Sequence, residues 1–303
     1  MKKIVSIISS LVMAAGMAVP FAVNAAGEDY KPEFYFKAEE NKGVEILKYG
    51  SIFINSSNAD ANTTGIPVAV YIKDEQKLAG QVFAKWSCEN KDLKLKELSG
   101  PVTKYGHSPY ARFNADVAED SDADHIAPNL SANESMNLLA VNYSTNSKNP
   151  MELSGSKSDD YPLAWFKASL ADGAKGGSYD IKFYSQGDYT CRVVPRFEDP
   201  SIIMGVDPAE YSEGIRINIS NRKLGDVNND TFVDAVDASS ILAAYAKSSS
   251  GEDSGLTSDQ AACADVDGNK LIDAVDASNV LAYYAYLSSE SGSLTLNEFI
   301  KSK

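Results

Sequence analysis

Histidine and cysteine are scarce in this chain. Only His107 and His125, and Cys88, Cys191 and Cys263, occur among 303 residues. No cysteine pair has zinc-ligand spacing, and two histidines do not make a histidine metal cluster. The same shortage, with no G-x-S-x-G elbow, argues against a triad hydrolase. Basic residues are also few: 28 Lys and Arg against 42 Asp and Glu leave a net charge of −14. Nucleic acid is therefore an improbable partner, because phosphate binding needs a basic footprint. Beyond the first two dozen residues no segment approaches the roughly 20 apolar residues that span a bilayer.

The exception lies at the N-terminus. Lys2 and Lys3 precede an apolar run from Ile4 to Val19, followed by Pro20 and a small-residue exit at Val23-Asn24-Ala25-Ala26. That order predicts a signal peptide over 1–26 and a secreted, extracellular mature protein. A retained anchor is the competing reading. Secretion permits a Cys88–Cys191 disulfide, and three unpaired buried thiols remain the alternative.

Between 51 and 220 the hydrophobic period is two. Val68, Val70 and Ile72 alternate with their neighbours, as do Val82, Ala84, Trp86 and Cys88. Leu163 and Trp165, then Tyr179, Ile181 and Phe183, then Ile215, Ile217 and Ile219 continue the pattern. Short strands with one buried face, separated by turns such as Asp172-Gly173, predict a β-sandwich over 28–221. Trp86 and Trp165 are expected in its core. Residues 27–50 read as polar, and 114–136 as a long loop or insertion. At about Arg222 the period becomes helical. No Pro/Thr-rich linker intervenes, so the two domains are expected to sit close together.

The C-terminal part, 223–303, repeats itself. Residues 226–248 (DVNNDTFVDAVDASSILAAYAKS) and 265–287 (DVDGNKLIDAVDASNVLAYYAYL) are identical at 12 of 23 positions. Each copy opens with oxygen-bearing residues at the spacing of a 12-residue EF-hand loop. Positions 1, 3, 5, 9 and 12 are Asp226, Asn228, Asp230, Asp234 and Asp237 in copy one. They are Asp265, Asp267, Asn269, Asp273 and Asp276 in copy two. Position 7, Phe232 or Leu271, offers a backbone carbonyl. A hard cation taking six to eight oxygens suits such loops, so two calcium ions are expected. Two features depart from the ordinary loop. Asp replaces Glu at position 12, and Thr231 and Lys270 occupy the position 6 turn that usually needs glycine. Both weaken binding without abolishing it. Ile241, Leu242 and Tyr245, and Val280, Leu281 and Tyr284, mark an apolar side on each following helix. Thr257-Ser-Asp-Gln260 and Thr295-Leu-Asn-Glu298 predict two further helix starts.

Two loops each followed, but not preceded, by a helix resemble a dockerin. The Asp-Val start, the Asp at position 12 and the duplicated DAS-x-x-L-A helix carry the likeness. The family's usual glycines at positions 4 and 6 survive only at Gly268. The style is similar to dockerins of gut cellulosome bacteria. The resemblance implies docking onto a cohesin domain of a scaffoldin. It also implies membership of a bacterial extracellular complex, the cellulosome, that degrades plant polysaccharide. The family's contact positions fall on Ala235, Val236, Ile241 and Leu242 in copy one, and Ala274, Val275, Val280 and Leu281 in copy two. Since both copies carry Ala-Val, either is expected to face the partner.

The sandwich resembles a cohesin in GIPVAVYIKDEQKLAGQVFAKWS, LKLKEL, PLAWFKASLADGAKGGSYDIKFY and IRINIS. The fold expected is thus multidomain: an all-β sandwich, cohesin-like or a carbohydrate-binding-like jelly roll, followed by a small all-α dockerin. Three roles follow for the sandwich. It is an adaptor for other dockerin-bearing proteins, a carbohydrate-binding module using exposed aromatics, or a glycoside hydrolase with two carboxylates. The non-catalytic adaptor is preferred, since no catalytic signature is present.

Overall fold

The structure is a computed structural model. It describes residues 30–38, 43–57, 65–76, 79–99, 129–143, 162–187, 190–195, 205–289 and 292–303. The predicted signal segment 1–26 and residues 114–128 of the predicted loop lie outside the described residues.

Twelve described strands form two sheets. They are β1 (Glu33–Ala38), β2 (Val44–Ile46), β3 (Ile52–Asn55), β4 (Ile66–Lys73), β5 (Ala79–Cys88) and β6 (Leu93–Ser99). After them come β7 (Asn129–Asn133), β8 (Leu138–Tyr143), β9 (Ala164–Leu170), β10 (Gly177–Phe183), β11 (Arg192–Pro195) and β12 (Ile215–Ser220). The smaller sheet has the order β1-β4-β9-β6. The larger runs β2-β3-β12-β10-β5-β8-β7, with β11 pairing the first half of β5. Pairing is antiparallel throughout, except where β3 runs parallel to β12.

The alternation read from the sequence places the core between these sheets. Val68, Val70, Ile72, Val82, Ala84 and Trp86 are completely buried, and so are Ile181 and Ile217. Phe36 of β1 stacks on Phe183 of β10 with centroids 4.4 Å apart, and Trp86 meets Phe166 at 5.4 Å. Such pairs fasten one sheet to the other beyond what their buried area contributes.

Three expectations need correction, and one open alternative is decided. Residues 27–50 contain β1 and β2, whose aromatic and charged residues mask the period of two. Residues 129–133 of the predicted loop are β7, and Glu134–Met136 form a single 3-10 turn capped by Asn133. Trp165 is not in the core. Its neighbours Ala164 and Phe166 are buried while Trp165 is half-buried, which puts it on the outer face of the smaller sheet. Of the two cysteine readings, the structure has the free one: all three thiols are unpaired and buried.

Four helices follow the sandwich: α1 (Ala235–Ser249), α2 (Ser258–Ala264), α3 (Ala274–Leu287) and α4 (Leu296–Lys301). Each starts at a capping box. Thr257 and Thr295 serve α2 and α4, as the sequence indicates. Asp234 and Asp273 serve α1 and α3.

The helices enclose a second core of Ile241, Val280, Ala238, Ala277, Leu296 and Ile300 with Leu224, Val227 and Val266. Two sandwich residues, Leu47 and Phe53, belong to this core. On β3, Ile52 and Ile54 point into the sandwich while Phe53 points the other way. The helical module thus sits on the outer face of the larger sheet. The contact expected from the missing linker is present.

Candidate metal centre and docking face

Each loop is organised by its own side-chain oxygens, and the two copies use the same pattern except for one amide at position 1. At position 1, Asp226 accepts from the Asp230 and Thr231 amides (3.1 and 3.0 Å), and Asp265 from those of Gly268 and Lys270 (3.0 and 3.2 Å). At position 3, Asn228 accepts from the Asp230 amide and Asp267 from the Asn269 amide. At position 5, Asp230 accepts from the Phe232 amide and Asn269 from the Leu271 amide. At position 9, Asp234 and Asp273 are N-caps, accepting from the Val236 and Val275 amides.

Position 12 joins loop to helix. One oxygen of Asp237 accepts from the Val227 and Asn228 amides, and the other from the Asp234 amide at 3.0 Å. Asp276 repeats this with Val266, Asp267 and Asp273. The short Asp side chain therefore closes the ring from inside the first helical turn. Position 6 adopts the left-handed backbone that the sequence implies, with φ of 75° at Thr231 and 73° at Lys270. Position 4 does so as well, at Asn229 (64°) and Gly268 (79°). Asn tolerates that region better than most residues.

The two loops differ in burial. Asp265, Asp267 and Asp276 are all buried, and one oxygen of each lies within 4.8 Å of the others. In the first loop Asp226 and Asp237 are buried, whereas Asn228 and Asp230 are exposed. Burial pushes the Asp276 carboxyl up to about 8, with Asp267 and Asp265 adding to it. Burial and then Asp267 push Asp265 up to about 6. Burial also raises Asp237 and Asp267. Carboxylates packed together and removed from water favour their neutral form until a cation compensates them. The donors are oxygens only, and those of Asp265, Asp267 and Asp276 converge. They fit a hard divalent cation such as calcium.

The proposed partner contacts divide into two groups. Ala235, Val236, Leu242, Ala274, Val275 and Leu281 are exposed. Val236 and Val275 are 56% and 52% accessible. Ile241 and Val280 are completely buried in the module's own core and are removed from the contact set. A helix turns about 100° per residue, and here that step carries Leu242 and Leu281 out of the core that Ile241 and Val280 fill. Tyr245 and Tyr284, outward at i+3 from Leu242 and Leu281, extend the exposed stripe instead.

Residues 224–283 match the family model of the dockerin type I domain. This part of the chain is therefore a type I dockerin, a protein-interaction module of the cellulosome type, and dockerins generally bind calcium. No curated protein matches the chain. Among solved structures, the chain is similar to a type III cohesin module from the ScaE cell-surface anchoring scaffoldin of Ruminococcus flavefaciens. Identity is 13%, coverage 67% of this chain and 99% of that one, and the TM-score 0.38. It is also similar to a type I cohesin–dockerin complex from Clostridium thermocellum, at 13% identity, 62% and 99% coverage and a TM-score of 0.35. A ScaB type I cohesin of Pseudobacteroides cellulosolvens matches at 13% identity, 53% and 86% coverage and 0.35. The sandwich itself stands on its sheet order and core.

Proposed function

We propose that this chain is a secreted, non-catalytic adaptor of an extracellular polysaccharide-degrading complex. Its dockerin takes two calcium ions and docks on a cohesin domain of a scaffoldin. Its sandwich receives other dockerin-bearing proteins. The observation that supports this reading is the placement of two outward faces on different sides of the molecule. The apolar stripes of α1 and α3 lie on the module, which packs on the larger sheet. The outer face of the smaller sheet carries Tyr35, Tyr71 and Trp165 beside Lys37, Lys96 and Lys167.

On that sheet Tyr35 stacks on Tyr71 at 5.2 Å, and Lys37 Nζ lies 4.8 Å from the Tyr71 ring centre. In register, Ala69 separates Lys37 from Trp165, and Lys96 opposes Lys167. A basic, aromatic face suits an acidic protein surface. This chain's own dockerin, 223–303, carries a net charge of −8. The non-catalytic reading fits the one buried carboxylate among the described sandwich residues. Asp74 accepts from Tyr30 Oη at 3.1 Å and the Ala79 amide at 2.7 Å, a structural role.

The aromatic row also favours a second reading, a carbohydrate-binding module that stacks sugar rings. Capture experiments separate the two. The full chain in calcium is presented to dockerin-bearing glycosidases and to insoluble cellulose and xylan. The adaptor reading expects capture of the enzymes, lost in Trp165→Ala/Lys167→Glu while cohesin binding by the dockerin persists. Retention on polysaccharide without enzyme capture sinks it in favour of sugar binding. Hydrolysis by the chain sinks both.

A further inference from the structure

The first and second loops meet different surroundings. The second is pressed against the turn Leu47–Ser51, which joins β2 to β3. Ser51 Oγ donates to the Gly268 carbonyl at 2.6 Å, and the Tyr49 amide donates to the Asp267 carbonyl at 3.0 Å. Farther along, Arg216 of β12 donates to the Lys270 carbonyl at 2.9 Å, and Lys270 Nζ returns a bond to the Gly214 carbonyl. Three positions of the loop, 3, 4 and 6, are therefore tied through their carbonyls to the sandwich. The first loop has another kind of support: Lys223 and Gln260 reach the Thr231 and Val227 carbonyls from within the module.

Steric fit agrees with this difference. A Cβ on Gly268 would lie 2.6 Å from Leu47 Cβ and 3.1 Å from Ser51 Cβ. The first loop has Asn229 at the equivalent position, with a similar positive φ and an exposed side chain. The glycine is thus needed at position 4 where the sandwich approaches, and not where it does not.

We infer that the sandwich is a structural part of the second cation site. The Leu47–Ser51 turn holds the second loop in its ligating conformation, so that loop takes calcium more tightly than the first. Pre-set backbone turns and prior exclusion of water lower the ordering cost of binding. The coupling is reciprocal: if the turn favours calcium, calcium favours docking of the module on the sandwich. Filling the second loop therefore fixes the orientation of the dockerin relative to the sheet, whereas filling the first does not.

The inference rests on the two-ion reading, and its test keeps the two apart. Calcium is titrated calorimetrically into the full chain, first unaltered, then with one loop disabled by Asp226→Ala or Asp265→Ala. Leu47→Ala/Ser51→Ala is then added to each background, with Ser51→Ala alone as the milder variant. The expected result is at least tenfold weaker binding by the second loop and a change below twofold in the first. Equal weakening of both loops, or none, overturns the inference while leaving calcium binding intact. A flat titration of the unaltered chain overturns both. Hydrogen exchange supplies a readout without substitutions. The Tyr49 amide should exchange at least tenfold more slowly in calcium than in chelator, and equal rates overturn the coupling.

Discussion

Asp237 and Asp276 each serve loop and helix together. One oxygen gathers the start of the loop, the other caps the helix that follows, and both residues are completely buried. For Asp276 the consequence is a pH dependence of stability that saturating calcium removes. Its folded-state value of about 8 lies above the ordinary 3.8, so the metal-free folded module holds a proton that the unfolded chain lacks. The stability of the calcium-free module therefore falls as pH rises from about 4 to about 8. Thermal unfolding in chelator across that range should show the decline, and Asp276→Asn should flatten it. Calcium competes with the same proton, so affinity rises with pH over the same window. The EF-hand spacing made these candidate ligands legible in the sequence. Their capping role follows from the same residues, as Asp-x-x-Asp before an apolar run.

Helices of the module were readable as elements and misread as faces. Ile241 and Leu242 are adjacent and both apolar, and a single sequence does not say which one is inside. The packing of α1 against α3 decides it: Ile241 and Val280 fill the core, and Leu242 and Leu281 remain 42% and 43% accessible. Leu242→Asp/Leu281→Asp should leave helical circular dichroism unchanged and abolish cohesin capture. Each single change should reduce capture only in part if either copy can face the partner. Loss with the copy-two change alone, as complete as in the double variant, excludes the two-way mode. Ile241→Asp should instead unfold the module, since a buried unpaired charge is not compensated. Capping was the most transferable signal. Thr295→Ala removes the cap of α4, whose Leu296 and Ile300 are buried, and should cost about 1 kcal/mol in urea unfolding.

At the scale of the molecule, sandwich and dockerin share a core. Phe53 is 1% exposed, leaves the sandwich on the outer side of β3 and packs among dockerin residues. Phe53→Ala should cost about 3–5 kcal/mol, as large-to-small changes in a core do. The loss should register in the helical signal of the full chain although the substitution lies in a strand. Calcium removal should act in the same place. Chelation is expected to destabilise the helices and release a bound cohesin, measured by a lower melting temperature in circular dichroism and by loss of capture. Arg222 and Asp259, paired at 2.8 Å, add a charged tie beside that core.

Local chemistry decided a good deal. The period of two specified the buried strands of the sandwich, because alternate side chains of a strand face opposite ways. The duplicated oxygen spacing specified two loops of like conformation, because Asp and Asn side chains at fixed offsets gather the amides that follow them. Only the tertiary structure decided what depends on neighbours distant along the chain. It placed Trp165 outside rather than inside, since which face of β9 is buried depends on the partner sheet. It put Leu47 and Phe53 into the dockerin core, which their own neighbourhood does not foretell. It also made the two loops unequal. Their ligand spacing is the same, and one of them lies against a sheet.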